Sequence, residues 1–337
     1  MEVPEYDLPE RAIAQHPAEP RDSARLLDAT DRSGRIVHRQ VRHLPEILRP
    51  GDLLVVNTSR VMPARLRLFK ETGGAAEVLL LGPEPVHGPG AWTALVRPGR
   101  RLPPGTKLHP EPYGPPVLEI GKQVDPQSDD ARRYITILGD EAEIMEQTGT
   151  VALPPYIHEP LENLDRYQTV YAEDPGSVAA PTAGLHLTHA LLDRCREKGA
   201  SVAAVDLAVG LATFKPIATS DADAHVMHSE RYRVPEETMK ACEHADRVIA
   251  VGTTTVRALE SAAASGDLEG ESRLYIRGDF RFRVVDVLLT NFHMPRSSLL
   301  LLIESFCGPR WRDLYRLALD SGYRFLSFGD AMIAGRR

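Results

Sequence analysis

The stretch "RVIAVGTTTVRALESAAASG", residues 247–266, carries the reading of the fold. Its opening run, RVIAVG, lacks the in–out alternation of a half-exposed strand and reads as a strand buried on both faces. After Gly252 the threonines cap a helix that continues through TTTVRALESAAASG. A buried strand, a glycine turn and a helix in so short a span make half of a βαβ unit.

The same alternation extends in both directions. Upstream, THALLDRCREKG (188–199) is an amphipathic helix with a glycine C-cap, SVAAVDLAV (201–209) a strand, and PEETMKACEHA (235–245) a helix started by Pro235. Downstream, FRVVDVLLTNF (282–292) is a strand, SSLLLLIESFCG (297–308) and RWRDLYRLALDSG (310–322) are helices, and YRFLSF (323–328) is a closing strand. The prediction is an α/β fold on a mostly parallel sheet. Near the N-terminus, PERAIAQ (9–15) is a short helix, and SARLLDA (23–29) and GRIVHRQV (34–41) are strands around a turn at Asp31–Gly34. LRPGDLLVVNTSRV (48–61) is a turn followed by a buried strand.

Residues 62–148 have a different pattern. The short apolar runs AEVLLLG, AWTALVRPG, TKLHP, PVLEIG and RRYITIL are separated by proline and glycine clusters, which predicts a small antiparallel β-barrel. One helix is expected there, in DEAEIMEQTG (140–149). The expected organisation is an α/β catalytic domain of residues 1–61 and 149–337 with an inserted barrel of residues 62–148.

The chain has 337 residues and a formal net charge of −7. That balance argues against a protein that coats nucleic acid non-specifically, while leaving room for a local basic face. Arginines cluster in RLRLFK (65–70), in RPGRRL (97–102) and at Arg21, Arg25, Arg39 and Arg42. The longest apolar run, SSLLLLIESF (297–306), is shorter than the ~18 residues of a membrane span and carries Glu304. The N-terminus is acidic and lacks the order of a signal peptide. Cys195, Cys242 and Cys307 lie far apart and suggest neither a disulfide framework nor a metal knuckle, so a cytoplasmic protein with reduced thiols is expected.

Ligands of open α/β sheets gather beyond the strand carboxyl ends, and several polar segments fall there. In VGTTTVRALES (251–261), Gly252, Thr253, Thr254 and Thr255 open a helix whose first amides suit an anionic or polar group, or simply cap it. TNFHMPRSSLL (290–300) places Asn291 and His293 just past a strand. AAPTAGLHLT (179–188) places Thr182, Gly184 and His186 before the helix-capping Thr188; Gly184 would allow close backbone approach to a ligand. DADAHVMHSERYRV (221–234) adds His225, His228 and Glu230. His225 and His228 lack a nearby third metal ligand, whereas His228 and Glu230 would share one strand face as an acid–base pair. SFGDAM ends with Asp330 after a glycine turn. No Walker lysine, G-x-S-x-G elbow, C-x-x-C or dinucleotide fingerprint is present. Local spacing leads to an α/β enzyme with a polar, histidine-containing site.

Taken together, the segments YDLPERAIAQ, RDSARLL, LRPGDLLVVNTSRVMPARL, RPGRRL, LPPYI, RYQTVYA, GSVAAPTAGLHLT, MHSERYRV, VIAVGTTTVRALES, VVDVLLTNFHMPRSSLLLL and YRFLSFGDAM resemble, in order, the S-adenosylmethionine:tRNA ribosyltransferase-isomerase family of queuosine biosynthesis. The resemblance implies a β-barrel beside a larger α/β domain. It also implies transfer of the ribosyl part of S-adenosylmethionine to the aminomethyl group of a 7-deazaguanine at the tRNA wobble position. The sugar rearranges to an epoxycyclopentanediol, and adenine and methionine depart. The sulfonium acidifies the C5′ protons, so a base of ordinary strength can start the reaction. The resemblance makes His186, His228, Glu230, His293 and Asp330 the catalytic candidates. It makes Arg60, Thr182, Gly184, Gly210, Thr213, Gly252, Thr253, Thr254, Thr255 and Asn291 the substrate-binding candidates. Arg257 is as well explained by structure. No metal and no bound cofactor are expected, S-adenosylmethionine being a co-substrate; a monomer or weak homo-oligomer without membrane attachment is expected.

Three departures bear on the acceptor. AVGLATF (208–214) puts Ala208 where the family has a histidine and Ala212 where it has a glycine. Leu187 replaces an aromatic, and RGD (277–279) stands in place of a proline-containing turn. They leave open an S-adenosylmethionine-cleaving or ribosyl-transferring relative acting on a small molecule, or a silent RNA-binding one.

Overall fold

The buried run around Ile249 is the middle of a nine-stranded sheet. The computed structural model describes residues 2–31, 33–125, 131–210, 217, 221–225, 227 and 229–337. Its contacts divide the chain into two units, Met1–Arg60 with Pro154–Arg337, and Val61–Leu153.

In the first unit the sheet strands are β1 (Arg25–Ala29), β2 (Val37–Gln40), β3 (Asp52–Asn57), β4 (Ser201–Leu207), β5 (Glu230–Arg233), β6 (Arg247–Val251), β7 (Glu269–Ser272), β8 (Val287–Asn291) and β9 (Ala331–Gly335). Their order is β7-β5-β4-β3-β6-β8-β9-β1-β2. The core β4-β3-β6-β8 is parallel, as is the pair β9-β1. The pairs β7-β5, β5-β4, β8-β9 and β1-β2 are antiparallel. The sheet is therefore mixed, and the expected parallel predominance holds only for its core. An apolar run reports burial on both faces, not strand direction. Two helices rather than one separate β8 from β9, and the register sets Ala331 beside Asn291, at the end where β8 finishes.

The segment YRFLSF is not a strand. It makes one isolated bridge, Phe325 to Ile13, and the strand of this region is β9. Phe325 and Leu326 are held in the core from a non-extended backbone, Leu326 at φ 67°.

Alternate residues of the central strands feed two cores. Leu53, Val55, Val248, Ala250 and Leu288 pack with Val256, Leu259 and Ala262 of the helix Thr253–Ser265. Leu54, Val56, Ile249, Val251 and Leu289 pack with Leu191, Leu192 and Cys195 of the helix His189–Glu197. Leu187, one of the departures, is fully buried in this second core.

The second unit is a closed antiparallel barrel of the strands Arg65–Lys70, Ala75–Pro83, Ala91–Arg97, Arg132–Ile137, Leu118–Gln123 and Lys107–His109, adjacent in that order, with the last pairing back onto the first. Leu66, Leu68, Val78, Leu80, Ala94, Val96, Ile120 and Ile135 are buried on alternating positions. Its helix Glu141–Thr148 is capped by Asp140, whose side chain accepts from the Glu143 amide at 2.9 Å. No helix among the described residues is long and apolar enough to cross a membrane.

Candidate active site

The parallel strands β3, β6 and β8 and their neighbour β4 finish at one edge of the sheet, at Asn57, Val251, Asn291 and Leu207. A pocket of ≈ 580 Å³, counting its open mouth, lies there. Its polar lining is Tyr156, Thr182, Thr253, Thr254, Thr290, Asn291, His293, Ser297 and Ser327. Val209, Phe292, Met294, Leu299 and Leu326 supply apolar walls, and no described lining residue carries a formal charge.

Gly252 shapes one wall. It is the N-cap of the helix Thr253–Ser265 at φ 90°, a conformation that disfavours any residue with a Cβ. No threonine caps this helix as expected; Thr255 donates instead to the Val251 carbonyl at 2.7 Å and does not line the pocket. Thr253 and Thr254 do, with the first-turn amides of a thirteen-residue helix behind them. Thr254 is fixed from below by Asn57, a residue the motifs did not single out. The Asn57 amide donates to the Leu207 carbonyl at 3.0 Å and to Thr254 Oγ1 at 3.3 Å. Its Oδ1 accepts from the amides of Ser59 and Leu207, both at 3.1 Å. All hydrogen-bonding capacity of this buried side chain is used.

Thr182, Asn291 and His186 form a hydrogen-bonded chain. The Thr182 hydroxyl donates to Asn291 Oδ1 at 2.9 Å, and Asn291 Nδ2 lies 3.2 Å from His186 Nε2. With Oδ1 engaged by Thr182, the Asn291 amide N–H faces Nε2, which therefore carries a lone pair and leaves the ring proton on Nδ1. Thr182 and Asn291 line the pocket, while His186 stands behind Asn291. Burial, together with Arg324, Arg166 and Arg21, pushes the His186 pKa down to about 4. The imidazole is neutral at pH 7.

His293 lines the pocket and is held at three atoms. Its carbonyl accepts from Tyr6 at 2.5 Å, its amide donates to the Tyr315 hydroxyl at 3.1 Å, and Nδ1 lies 3.2 Å from that hydroxyl. A phenol that accepts the amide N–H directs its own proton to Nδ1. That leaves Nε2–H for Thr290 Oγ1, 3.2 Å away. Burial lowers the His293 pKa to about 3, so this ring too is neutral.

Other candidates fall elsewhere. Glu230 is buried in an ion pair with Arg257, and its Oε1 accepts from the Gly210 amide at 3.2 Å. Asp330 is absent from the pocket lining; it accepts the backbone amides of Arg25 at 2.9 Å and Arg324 at 2.8 Å, tying β1 to the turn before β9. Gly184 permits a close approach, but to protein: an added Cβ would collide with the Tyr171 hydroxyl and Thr169. Arg60 is exposed. Ala208 donates its amide to the Arg231 carbonyl at 2.9 Å. His228, Thr213 and Ala212 lie outside the described residues. His225 packs its ring edge-on to Tyr275, and the described residues contain no cluster of three or more His, Cys, Asp or Glu that could hold a metal.

Two lining residues, Tyr156 and Ser327, were not singled out as site candidates by the sequence. The Tyr156 hydroxyl and Ser327 Oγ share a hydrogen bond of 2.8 Å, and Leu326, also in the lining, holds a positive φ. LPPYI marks Tyr156 only through the resemblance.

Comparison with known proteins gives a consistent result. A family model described as "Queuosine biosynthesis protein" matches residues 2–334. The chain is 48% identical to the S-adenosylmethionine:tRNA ribosyltransferase-isomerase of Thermus thermophilus, over 99% of each chain. It is 47% identical to the protein of that name from Rubrobacter xylanophilus, over 98% of this chain and 96% of the other. The crystal structure of S-adenosylmethionine tRNA ribosyltransferase from Thermotoga maritima is 35% identical, with TM-score 0.55, covering 98% of this chain and 99% of that one.

Proposed function

The chain belongs to the family of queuosine biosynthesis proteins, and we propose that it is an S-adenosylmethionine:tRNA ribosyltransferase-isomerase. It transfers and isomerises the ribosyl moiety of S-adenosylmethionine onto 7-aminomethyl-7-deazaguanine in tRNA. The products are epoxyqueuosine in the tRNA, adenine and methionine. The observation that carries the reading is an uncharged pocket lined by a helix N-terminus and the neutral His293, with the neutral His186 hydrogen-bonded to the lining residue Asn291. The donor substrate has a carboxylate that suits the amides at Thr253 and Thr254, and a sulfonium that a protonated histidine would repel.

In this reading His186 is the base. Its Nε2 lone pair points to the Asn291 amide, and a substrate that displaces that amide exposes Nε2 to the C5′ proton acidified by the sulfonium. The C5′ electron pair forms a C4′=C5′ double bond as the C4′–O4′ bond breaks, the O4′ electrons form a C1′ carbonyl, and the bond to adenine breaks, so that adenine leaves as an anion and must be protonated. Thr290, whose oxygen receives His293 Nε2–H, turns its hydroxyl to hydrogen-bond the departing adenine, and the proton that neutralises the anion is the one His186 took from C5′. The aminomethyl group must be neutral to attack, and an uncharged surround favours that form. Glu230, fixed by Arg257, positions the adjoining Gly210 segment. Asp330 serves the frame of the site rather than its chemistry.

The partners are S-adenosylmethionine and tRNA, with no bound cofactor, in a cytoplasmic monomer or weak homo-oligomer. No observation favours a small-molecule acceptor. Incubation with S-adenosylmethionine and tRNA carrying the aminomethyl deazaguanine should release adenine and raise the mass of the tRNA by the transferred sugar. Adenine release that is indifferent to tRNA, with tRNA of unchanged mass, would overturn the assignment.

A further inference from the structure

The arginine runs RLRLFK and RPGRRL have no part in the pocket. Both lie in the barrel unit, where strand register shows what they share. The strands Arg65–Lys70 and Ala75–Pro83 meet at a turn over residues 71–74. Ala91–Arg97 finishes at that same end, since Arg97 stands opposite Glu77. Arg132–Ile137 starts there, with Arg132 opposite Leu95, and Leu118–Gln123 finishes there, with Gln123 opposite Arg133. Among the described residues this end carries Lys70, Arg97, Arg100, Arg101, Lys122, Arg132 and Arg133 against Glu71, Glu77 and Asp125. The other end, where the chain enters at Val61 and leaves at Leu153, carries Glu84, Glu111, Asp140, Glu141, Glu143 and Glu146, with Arg65. Charge is separated along the barrel.

Arg97, Arg100 and Arg101 are exposed, and none of them forms an ion pair among the described residues. In the other unit, exposed arginines such as Arg312, Arg316 and Arg337 are paired with Glu304, Asp313 and Asp279. The turn Gly99–Arg101 is pinned to the barrel by Arg133, which donates to the Gly99 carbonyl at 3.2 Å. Two guanidiniums on a fixed turn and a third at the end of the strand before it, none of them in an ion pair among the described residues, suit phosphate oxygens.

We propose that this end of the barrel, with Arg97, Arg100 and Arg101 at its centre, binds the sugar–phosphate backbone of the tRNA substrate. The proposal rests on the functional reading above. A net charge of −7 makes general attraction to RNA weak, so a local cationic face must supply it.

The test measures fluorescently labelled tRNA binding to the full chain between 50 and 300 mM salt. Subjects are the unaltered protein, the triple variant Arg97→Gln/Arg100→Gln/Arg101→Gln, and the pair Arg312→Gln/Arg316→Gln. The triple variant should raise Kd by about tenfold or more at 0.15 M salt and flatten log Kd against log salt by about 2. S-adenosylmethionine affinity should be unaffected, and the pair variant should match the unaltered protein. Should the triple variant melt early, Arg100→Gln/Arg101→Gln alone, on the exposed turn, should still flatten the slope by about 1. Unaltered protein that binds tRNA, with a triple variant that binds equally well or a pair variant that loses as much, overturns this inference alone. Unaltered protein that neither binds tRNA nor releases adenine overturns the functional reading, and this inference with it.

Discussion

At the scale of single residues, His293 in the pocket lining and His186 behind Asn291 give the site its pH character. Both have pKa values depressed by burial, to about 4 for His186 and about 3 for His293. An unfolded histidine titrates near 6.5, so below that pH the unfolded chain binds protons that the folded chain refuses. Their contribution to stability is thus complete above pH ~6.5 and is lost as pH falls toward the folded values, by roughly 3 kcal/mol for His186 and roughly 5 kcal/mol for His293. Urea unfolding at pH 7.5, 6 and 5 should show this fall, and His186→Gln should flatten it. An unchanged slope in the variant would mean that the ring is protonated in the folded state. The same residue offers an activity test. His186→Ala should cut adenine release by about a hundredfold or more, while the melting temperature moves by only a few degrees. Intact activity per folded molecule would return His186 to a packing role. Asp330 shows how residue type alone misleads. A carboxylate after a glycine turn has the look of a catalytic acid, yet its oxygens accept two backbone amides.

At the scale of elements, the helix Thr253–Ser265 depends on its neighbours for its place. Gly252 turns the chain and Asn57, from β3, holds Thr254. Asn57→Ala would leave the amides of Ser59 and Leu207 and the Leu207 carbonyl without this partner in a buried setting. A loss of about 2–3 kcal/mol is expected in denaturant unfolding, with a raised KM for S-adenosylmethionine as the helix N-terminus shifts. Asn57→Asp keeps the acceptor and the size but loses the amide donor, and should separate the two effects. A drop under about 0.5 kcal/mol would show that water substitutes for the side chain. The strand–glycine–helix motif was legible in residues 247–266 because burial on two faces and a φ-permissive turn both leave local marks. Asn57 left none: an asparagine closing an apolar run is common, and its role depends on β4 and β6 flanking β3.

At the scale of the whole molecule, each unit holds one tryptophan, Trp92 in the barrel and Trp311 in the α/β unit, and both are buried. Single-tryptophan variants therefore report the units separately. S-adenosylmethionine at 100 times its Kd should stabilise the unit that binds it by about 3 kcal/mol. The shift should appear in the transition followed by Trp311 in a Trp92→Phe background. The transition followed by Trp92 in a Trp311→Phe background should stay in place. A shift seen only through Trp92 would move the donor site out of the sheet edge.

Period, turn residues and run length in the sequence determined most of the strands and helices and that an all-β stretch interrupts an α/β chain, while the family was legible only as a resemblance carried by the ordered set of motifs. Only the tertiary structure decided the direction of β9, the identity of the last strand, and which polar side chains share the pocket. Hydrophobic pattern encodes burial, which is local, while strand direction and side-chain convergence follow from sheet order. Sheet order brings Asn57, Thr254, Thr182 and Asn291 together across separations that no local pattern records.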